Sequence, residues 1–139
     1  MESKKLVIEL FKSNVWANDI IQDVFKPHDI SMQQFNVLRI LRGQKGNPAN
    51  LSDIQERMIS KMSNTTRLVD KLIAKGLTSR VTCPNNRRKV NITITKKGLA
   101  LLEVIDPILD KHEKEMTDAL TKEEKIKLTS LLLKMKKND

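Results

Sequence analysis

The sequence predicts a mainly α-helical protein with one small β-hairpin, an α+β fold. Apolar residues recur at helical spacing through most of the 139 residues. Two short segments, Thr78–Thr82 and Val90–Thr95, instead alternate between apolar and polar side chains, as strands with one buried face do. The hairpin lies inside the only strongly basic part of the chain, which is the first indication of a function.

Net positive charge is confined to the middle of the sequence. Arg57 to Lys97 holds eleven Lys or Arg and one acid, Asp70, which gives a net charge of +10. The whole chain has 26 Lys or Arg and 17 Asp or Glu, so the remainder has fifteen basic and sixteen acidic residues. This clustering favours a polyanionic partner such as nucleic acid over a basicity that merely keeps the protein in solution.

Several classes of protein are disfavoured. We expect no membrane span, since no apolar run approaches the ~18 residues that one requires. The N-terminus has no long apolar segment of a signal peptide, and Cys83 is the only cysteine, so we expect a protein of the reducing cytoplasm. Zinc-site spacings, phosphate loops and hydrolase motifs are missing, so we expect no metal, no cofactor and no enzymatic activity.

Two helices are predicted at the start of the chain. Apolar spacing predicts the first over residues 4–26, ended by Pro27. Ser31 and Gln34 have the spacing of a capping box, which predicts a second helix that ends at Gly43. The first helix is apolar enough to need a surface to pack on.

Two shorter helices with a tight turn follow. Asn50 is the predicted cap of the third helix, and the fourth is predicted from near Met62 to Lys75, with Gly76 in a left-handed conformation. Such a pair is a helix-turn-helix unit. Its outward side chains are short, polar or basic and suit base edges in a major groove, although a solvated helix face is the alternative: Ser63, Asn64, Thr66, Arg67, Asp70, Lys71 and Ala74.

The hairpin is predicted to carry a positive tip. Cys83 to Asn86 has turn chemistry, and Arg87, Arg88 and Lys89 follow it. Arginine on a thin loop suits the narrow, negative minor groove. The alternative is a charged edge that prevents aggregation.

Two more helices are predicted at the end. Thr95 is the expected cap of a helix that reaches about Leu120, with a kink or break near Pro107. Thr121 and Glu124 form another capping box, which predicts a last helix over residues 122–136.

In this order the elements resemble the MarR family of bacterial transcriptional regulators. Three segments carry the resemblance: SMQQFNVLRIL (31–41) is similar to the family's second helix, TTRLVDKLIAKGL (65–77) to its recognition helix, and NNRRKVNITITKKG (85–98) to its wing. Two departures stand out. Asn86 replaces the usual wing aspartate, and Lys61-Met62 replaces the usual Ser-Pro before the recognition helix, which would move the helix cap to Ser60 or Ser63.

The resemblance implies a winged helix-turn-helix fold with N- and C-terminal dimerisation helices, in one domain over residues 1–139. The DNA-binding lobe would span about 31–98, and the dimerisation lobe about 4–26 and 95–136. A homodimer would place recognition helices in major grooves and wings in flanking minor grooves of a roughly palindromic operator.

Resemblance and charge together predict the residues that bind DNA: Ser63, Asn64, Thr66, Arg67, Lys71, Arg80, Asn86, Arg87, Arg88 and Lys89. Arg67, Arg87 and Arg88 are expected to contribute most. The family also often binds a small aromatic or phenolic ligand between the lobes, for which Trp16, Phe35 and Ile59 are the candidates.

The predicted function is a sequence-specific regulator of double-stranded DNA, acting as a homodimeric repressor that a small ligand could release. The alternative is a winged-helix interaction module that places its basic face on an acidic protein. Cys83 could sense oxidants, but the family's sensing cysteine lies on the first helix, where this chain has none, and an incidental thiol is the simpler interpretation.

Overall fold

The fold is mainly helical with one small sheet, as predicted. The computed structural model describes residues 1–83 and 86–137, without the side chains of Cys83 and residues 86–89. The elements in chain order are α1 (Glu2–Phe25), a 3-10 turn (Lys26–His28), α2 (Met32–Gly43), β1 (Ala49–Asn50), α3 (Leu51–Arg57), α4 (Thr65–Ala74), β2 (Thr78–Cys83), β3 (Asn86–Ile94), α5 (Lys96–Met116) and α6 (Lys122–Lys136). None of the helices in these residues is long and apolar enough to cross a membrane.

Side-chain caps start the helices where the sequence predicts them. In the capping box of α2, the Ser31 hydroxyl accepts from the Gln34 N–H, and Gln34 Oε1 accepts from the Ser31 N–H, both at 3.0 Å. Thr121 and Glu124 form the same pair at α6. Asn50 caps α3 and Thr95 caps α5, so the predicted starts of these four helices are confirmed.

The hydrophobic core lies where the helix-turn-helix region meets the base of α1 and the first half of α5. Its fully buried side chains come from α2, α3, α4, β3 and α5: Val37, Leu38, Leu41, Ile54, Val69, Leu72, Ile92, Leu102 and Ile105. Phe25 of α1 packs on Phe35 of α2 with ring centroids 4.7 Å apart. This core fixes α4 against the sheet and leaves the opposite side of α4 exposed.

Two helices keep large apolar surfaces outside this core. Along α1, Phe11 is 70% exposed and Val15 and Trp16 are also exposed. No residue of α6 is buried, and its Ile126 is 61% exposed although the helix contains many aliphatic side chains. A helix that is apolar on several sides is normally covered, so α1 and α6 require apolar surface that the described part of the chain does not supply.

The sheet has three strands in the order β1-β3-β2, not the two that the sequence predicts. Ala49 pairs with Ile92 and Asn50 with Asn91, both antiparallel. The sequence analysis missed β1 because two residues are too short to show an alternating pattern. The strand covers the edge of β3 at Asn91 and Ile92, and α3 begins directly after it.

Helix α4 begins at Thr65, three residues after the predicted Met62, and the cap is neither Ser60 nor Ser63. Asn64 is the N-cap, and its Oδ1 accepts from the Arg67 N–H at 3.1 Å. Asn is among the strongest N-caps, and the turn before it is held by bonds described below. Gly76 ends the segment with φ +75, as predicted.

Of the predicted kink or break near Pro107, a break is wrong, since α5 continues from Lys96 to Met116 with the proline inside it. Ile105 and Leu109, on either side of Pro107, are buried in the core. Their packing holds the helix together where one backbone hydrogen bond is lost. The helix ends at Met116 instead of near Leu120.

β3 begins at Asn86, so residues 87–89 lie in the first part of this strand, which was predicted to begin only at Val90. Pro84 and Asn85, in the middle of the predicted turn, lie outside the described residues.

Gly98 is predicted to be important for the stability of the fold. A Cβ there would meet Ile94 Cγ1 at 2.7 Å and, closer still, the Leu77 carbonyl oxygen, which already accepts from the Thr95 N–H. Because that oxygen cannot move freely, Gly98→Ala should destabilise the fold by about 1–3 kcal/mol. Urea denaturation followed by circular dichroism measures the loss. Gly43→Ala is the control, because a Cβ there meets nothing within 4 Å, and equal stability of the two variants would contradict the prediction.

Candidate nucleic-acid interface

The turn between α3 and α4 is held by side chains of its neighbours. Gln55 Oε1 accepts from the Thr65 hydroxyl, and Gln55 Nε2 donates to the Lys61 carbonyl. The Ile59 N–H donates to Oδ1 of Asn36 on α2 at 2.8 Å. These bonds position the start of α4 without a glycine or proline in the turn. Gln55 and Asn36 were not predicted to hold the turn, because the sequence shows each only as a polar residue within an apolar helical pattern.

One side of α4 brings together five of the predicted residues. We define the polar face of α4 by the side chains that line two shallow clefts along this helix: Ser63, Asn64, Thr66, Arg67, Asp70 and Lys71. Ser63 is half-buried and the others are exposed. The opposite side of α4 buries Val69 and Leu72, so packing fixes which side faces outward.

Arg80, the predicted basic residue at the start of the wing, is paired with an acid. It lies on β2, and its guanidinium donates to Oδ1 of Asp70 on α4. The two side chains are 55% and 51% exposed. The pair was not predicted, because nothing in the spacing of the two residues indicates that α4 and β2 bring them together.

The wing is an antiparallel pair with register from Thr78↔Ile94 to Thr82↔Val90, and an irregularity follows at Cys83. The hydroxyls of Ser79 and Thr93 lie 3.1 Å apart across it. Asn86, Arg87, Arg88 and Lys89 are placed at the start of β3, the far end of the wing. Their side chains lie outside the described residues, so the contacts predicted for them stay predictions.

One ion pair and two hydrogen bonds join this region to the remaining helices. Arg42 Nη1 of α2 lies 2.5 Å from Oδ2 of Asp106 on α5. At the end of α4, Lys75 donates to the Asp29 carbonyl, and Lys97 Nζ donates to the Lys75 carbonyl at 2.9 Å. These contacts attach α4, which carries the polar face, to α5 and to the connection from α1 to α2.

The three predicted ligand residues occupy different environments. Phe35 is buried in the core, with the Arg39 guanidinium 5.6 Å from its ring centroid. Trp16 is exposed on α1, and Ile59 is 84% exposed in the turn before α4. Within residues 1–83 and 86–137, no group of three or more His, Cys, Asp or Glu is placed to hold a metal ion.

Comparison with known proteins agrees with this arrangement. The model of the MarR family matches residues 30–90. The HTH-type transcriptional regulator MhqR of Bacillus subtilis is 31% identical over 131 residues, covering 94% of this chain and 89% of MhqR. Among solved structures, a mutant of Escherichia coli MarR complexed with operator DNA has a TM-score of 0.85 at 26% identity, covering 96% of this chain and 95% of that one. Bordetella bronchiseptica BpsR, whose DNA binding is regulated by 6-hydroxynicotinic acid, has a TM-score of 0.83 at 25% identity, covering 95% and 98%. The chain therefore belongs to the MarR family of transcriptional regulators.

Proposed function

We propose that this chain, a MarR-family DNA-binding transcriptional regulator, is a homodimeric repressor that acts in the cytoplasm on a pseudo-palindromic operator. The observation that carries the proposal is the polar face of α4. It is a short, outward-facing row of Asn, Thr, Arg and Lys within the segment of net charge +10. Such side chains donate and accept hydrogen bonds at base edges and phosphates.

The exposed apolar surfaces of α1 and α6 support the homodimer. A second copy supplies identical aliphatic faces, so the same surfaces cover each other across a two-fold axis. The lobe of residues 31–98 would then bind DNA, and residues 4–26 and 95–136 would set the distance between the two copies of α4. That distance should match one turn of DNA.

In this arrangement Ser63, Asn64, Thr66, Arg67 and Lys71 would enter a major groove. The wing residues Asn86, Arg87, Arg88 and Lys89 would lie at the flanking minor groove. Because several cations replace counterions on the phosphates, the affinity should fall steeply as salt concentration rises.

A selection from random-sequence DNA tests the proposal. Recovery of one palindrome, with half-sites about one turn apart, is the expected result. A protein that enriches no sequence even at low salt would contradict it and would favour the alternative, a module that binds an acidic protein through the same basic face. Reporter expression with and without the protein then distinguishes repression from activation.

A small effector is the second element of the proposal. BpsR provides a precedent for regulation of DNA binding by a small acid. In this chain a cleft of about 270 Å³ lies between the end of α1 and the start of α2, next to Phe25 and Met32, but Trp16, Phe35 and Ile59 are not among the residues that line it. Screening metabolites for release of the selected DNA tests this element, and a substitution at Trp16, Phe35 or Ile59 that abolishes release would place the ligand.

We propose no enzymatic activity, since the relatives compared are regulators.

Arg67→Ala should weaken operator binding by about tenfold or more, whether the lost contact is to a base or to a phosphate. Arg67 is exposed at the centre of the polar face, and only its backbone N–H takes part in the helix cap. Fluorescence anisotropy with labelled operator at fixed salt measures the change. Lys111→Ala removes the same charge from an exposed position of α5, and an equal loss in both variants would contradict the prediction.

A further inference from the structure

Asp70 carries a negative charge on the surface that is proposed to bind DNA. It is the only acid between Arg57 and Lys97. Its carboxylate nevertheless lies among Asn64, Thr66 and Arg67 in the cleft along α4. An anion at this position repels phosphates and therefore opposes the attraction that the surrounding cations provide.

The ion pair with Arg80 contributes too little to stability to explain why an acid occurs at position 70. Both side chains are more than half exposed, and exposed ion pairs contribute little to folding. The packing of α4 on the rest of the fold is provided by buried Val69, Leu72 and Leu77. The pair can therefore serve recognition without being needed for stability.

The geometry of the pair leaves Asp70 able to accept another hydrogen bond. Arg80 donates to Oδ1, and among the described residues Oδ2 has no hydrogen-bond partner. Asp70 lies one helical turn after Thr66 and Arg67, and one turn before Ala74, whose small side chain leaves space beside it. In a major groove, the group that pairs best with a carboxylate oxygen is the N4 amino group of cytosine.

We propose that Asp70 is a specificity-determining residue that accepts a hydrogen bond from a cytosine N4 amino group, and that Arg80 is a positioning residue that orients and partly neutralises it. Arg80 thus acts on DNA through Asp70. The carboxylate is tolerated where a cytosine satisfies it and is repelled where phosphates or carbonyl oxygens face it, which lowers binding to wrong sequences. The inference rests on the proposed function, since it requires α4 to enter a major groove.

The test uses full-length protein, the selected operator and a panel of single base-pair substitutions in it. For wild type, replacing one C·G pair should cost between about five- and a hundredfold in affinity. Asp70→Ala removes both the hydrogen-bond acceptor and the charge. It should remove discrimination at that pair, leave the other pairs unchanged and bind scrambled DNA several-fold more tightly. Glu103→Gln, an exposed acid on α5, is the control for the change in net charge and should alter neither quantity.

Arg80→Ala tests the second half of the inference. It should weaken discrimination at the same C·G pair, and it should have no further effect on that pair in the Asp70→Ala background. An undiminished effect in that background would show that Arg80 contacts DNA directly and would overturn its positioning role.

The outcomes separate this inference from the proposed function. A wild-type protein that selects no DNA defeats the function itself. If the wild-type protein selects an operator but Asp70→Ala retains every base preference, only the inference is contradicted. Thermal melting should give similar midpoints for all these variants, since the substituted side chains are exposed.

Discussion

Leu128→Glu/Leu131→Glu is expected to convert the protein from a dimer to a monomer and to lower operator affinity on the order of 100-fold. The two residues lie about one turn apart on α6, and neither is buried in the monomer. Charges introduced there cannot be covered by an apolar partner face without a large desolvation cost. A monomer binds one half-site at a time and loses the advantage of simultaneous engagement. Analytical ultracentrifugation and anisotropy measure the two effects.

Thr129→Glu/Ser130→Glu is the matched control for this prediction. It introduces the same two charges at adjacent positions of α6 that are already polar. The control should remain dimeric and should bind the operator with nearly wild-type affinity, apart from a modest charge effect. Dimerisation that survives the leucine substitutions would contradict the assignment of α6 to the subunit interface.

Arg87→Ala/Arg88→Ala should weaken operator binding by about tenfold to a hundredfold and should reduce the dependence of affinity on salt. Each lost phosphate contact removes about one from the slope of log affinity against log salt concentration. The expectation rests on the place of these residues in the basic start of β3 and on the similarity of the segment to the family's wing. Anisotropy titrations at several salt concentrations give both quantities.

Lys111→Ala/Lys114→Ala removes the same charge from exposed positions of α5 and serves as the control. The control should preserve most of the salt dependence. If the wing variant binds the operator as well as wild type, the wing does not contribute to binding, and recognition would depend on the polar face of α4.

Much of the local structure could be read from the sequence because it depends on neighbouring residues. Ser31 with Gln34 and Thr121 with Glu124 form their capping boxes in the structure. Gly76 adopts the positive φ expected at the end of α4. Thr66, Arg67 and Lys71 share one side of α4 because helical periodicity places them there, and Ser63 and Asn64 adjoin them from just before the helix.

The wrong predictions share one cause: the features concerned depend on contacts between residues that are distant in the sequence. Pro107 does not break α5, because the core packs on both sides of it. β1 exists only because Ile92 and Asn91 of β3 lie opposite it. Helix α4 starts at Thr65 with its hydroxyl bonded to Gln55, ten residues away on α3.

The sequence by itself determined the order of the helices, their caps, the basic segment and the outward row of α4, since these follow from local spacing and charge. Only the tertiary structure decided which groups in that segment face each other. It paired Arg80 with Asp70, so that the one acid of the basic segment is held by a residue that the sequence suggested for direct DNA contact. It also left α1 and α6 uncovered, because the core could bury only the surfaces that the helix-turn-helix region presents to it.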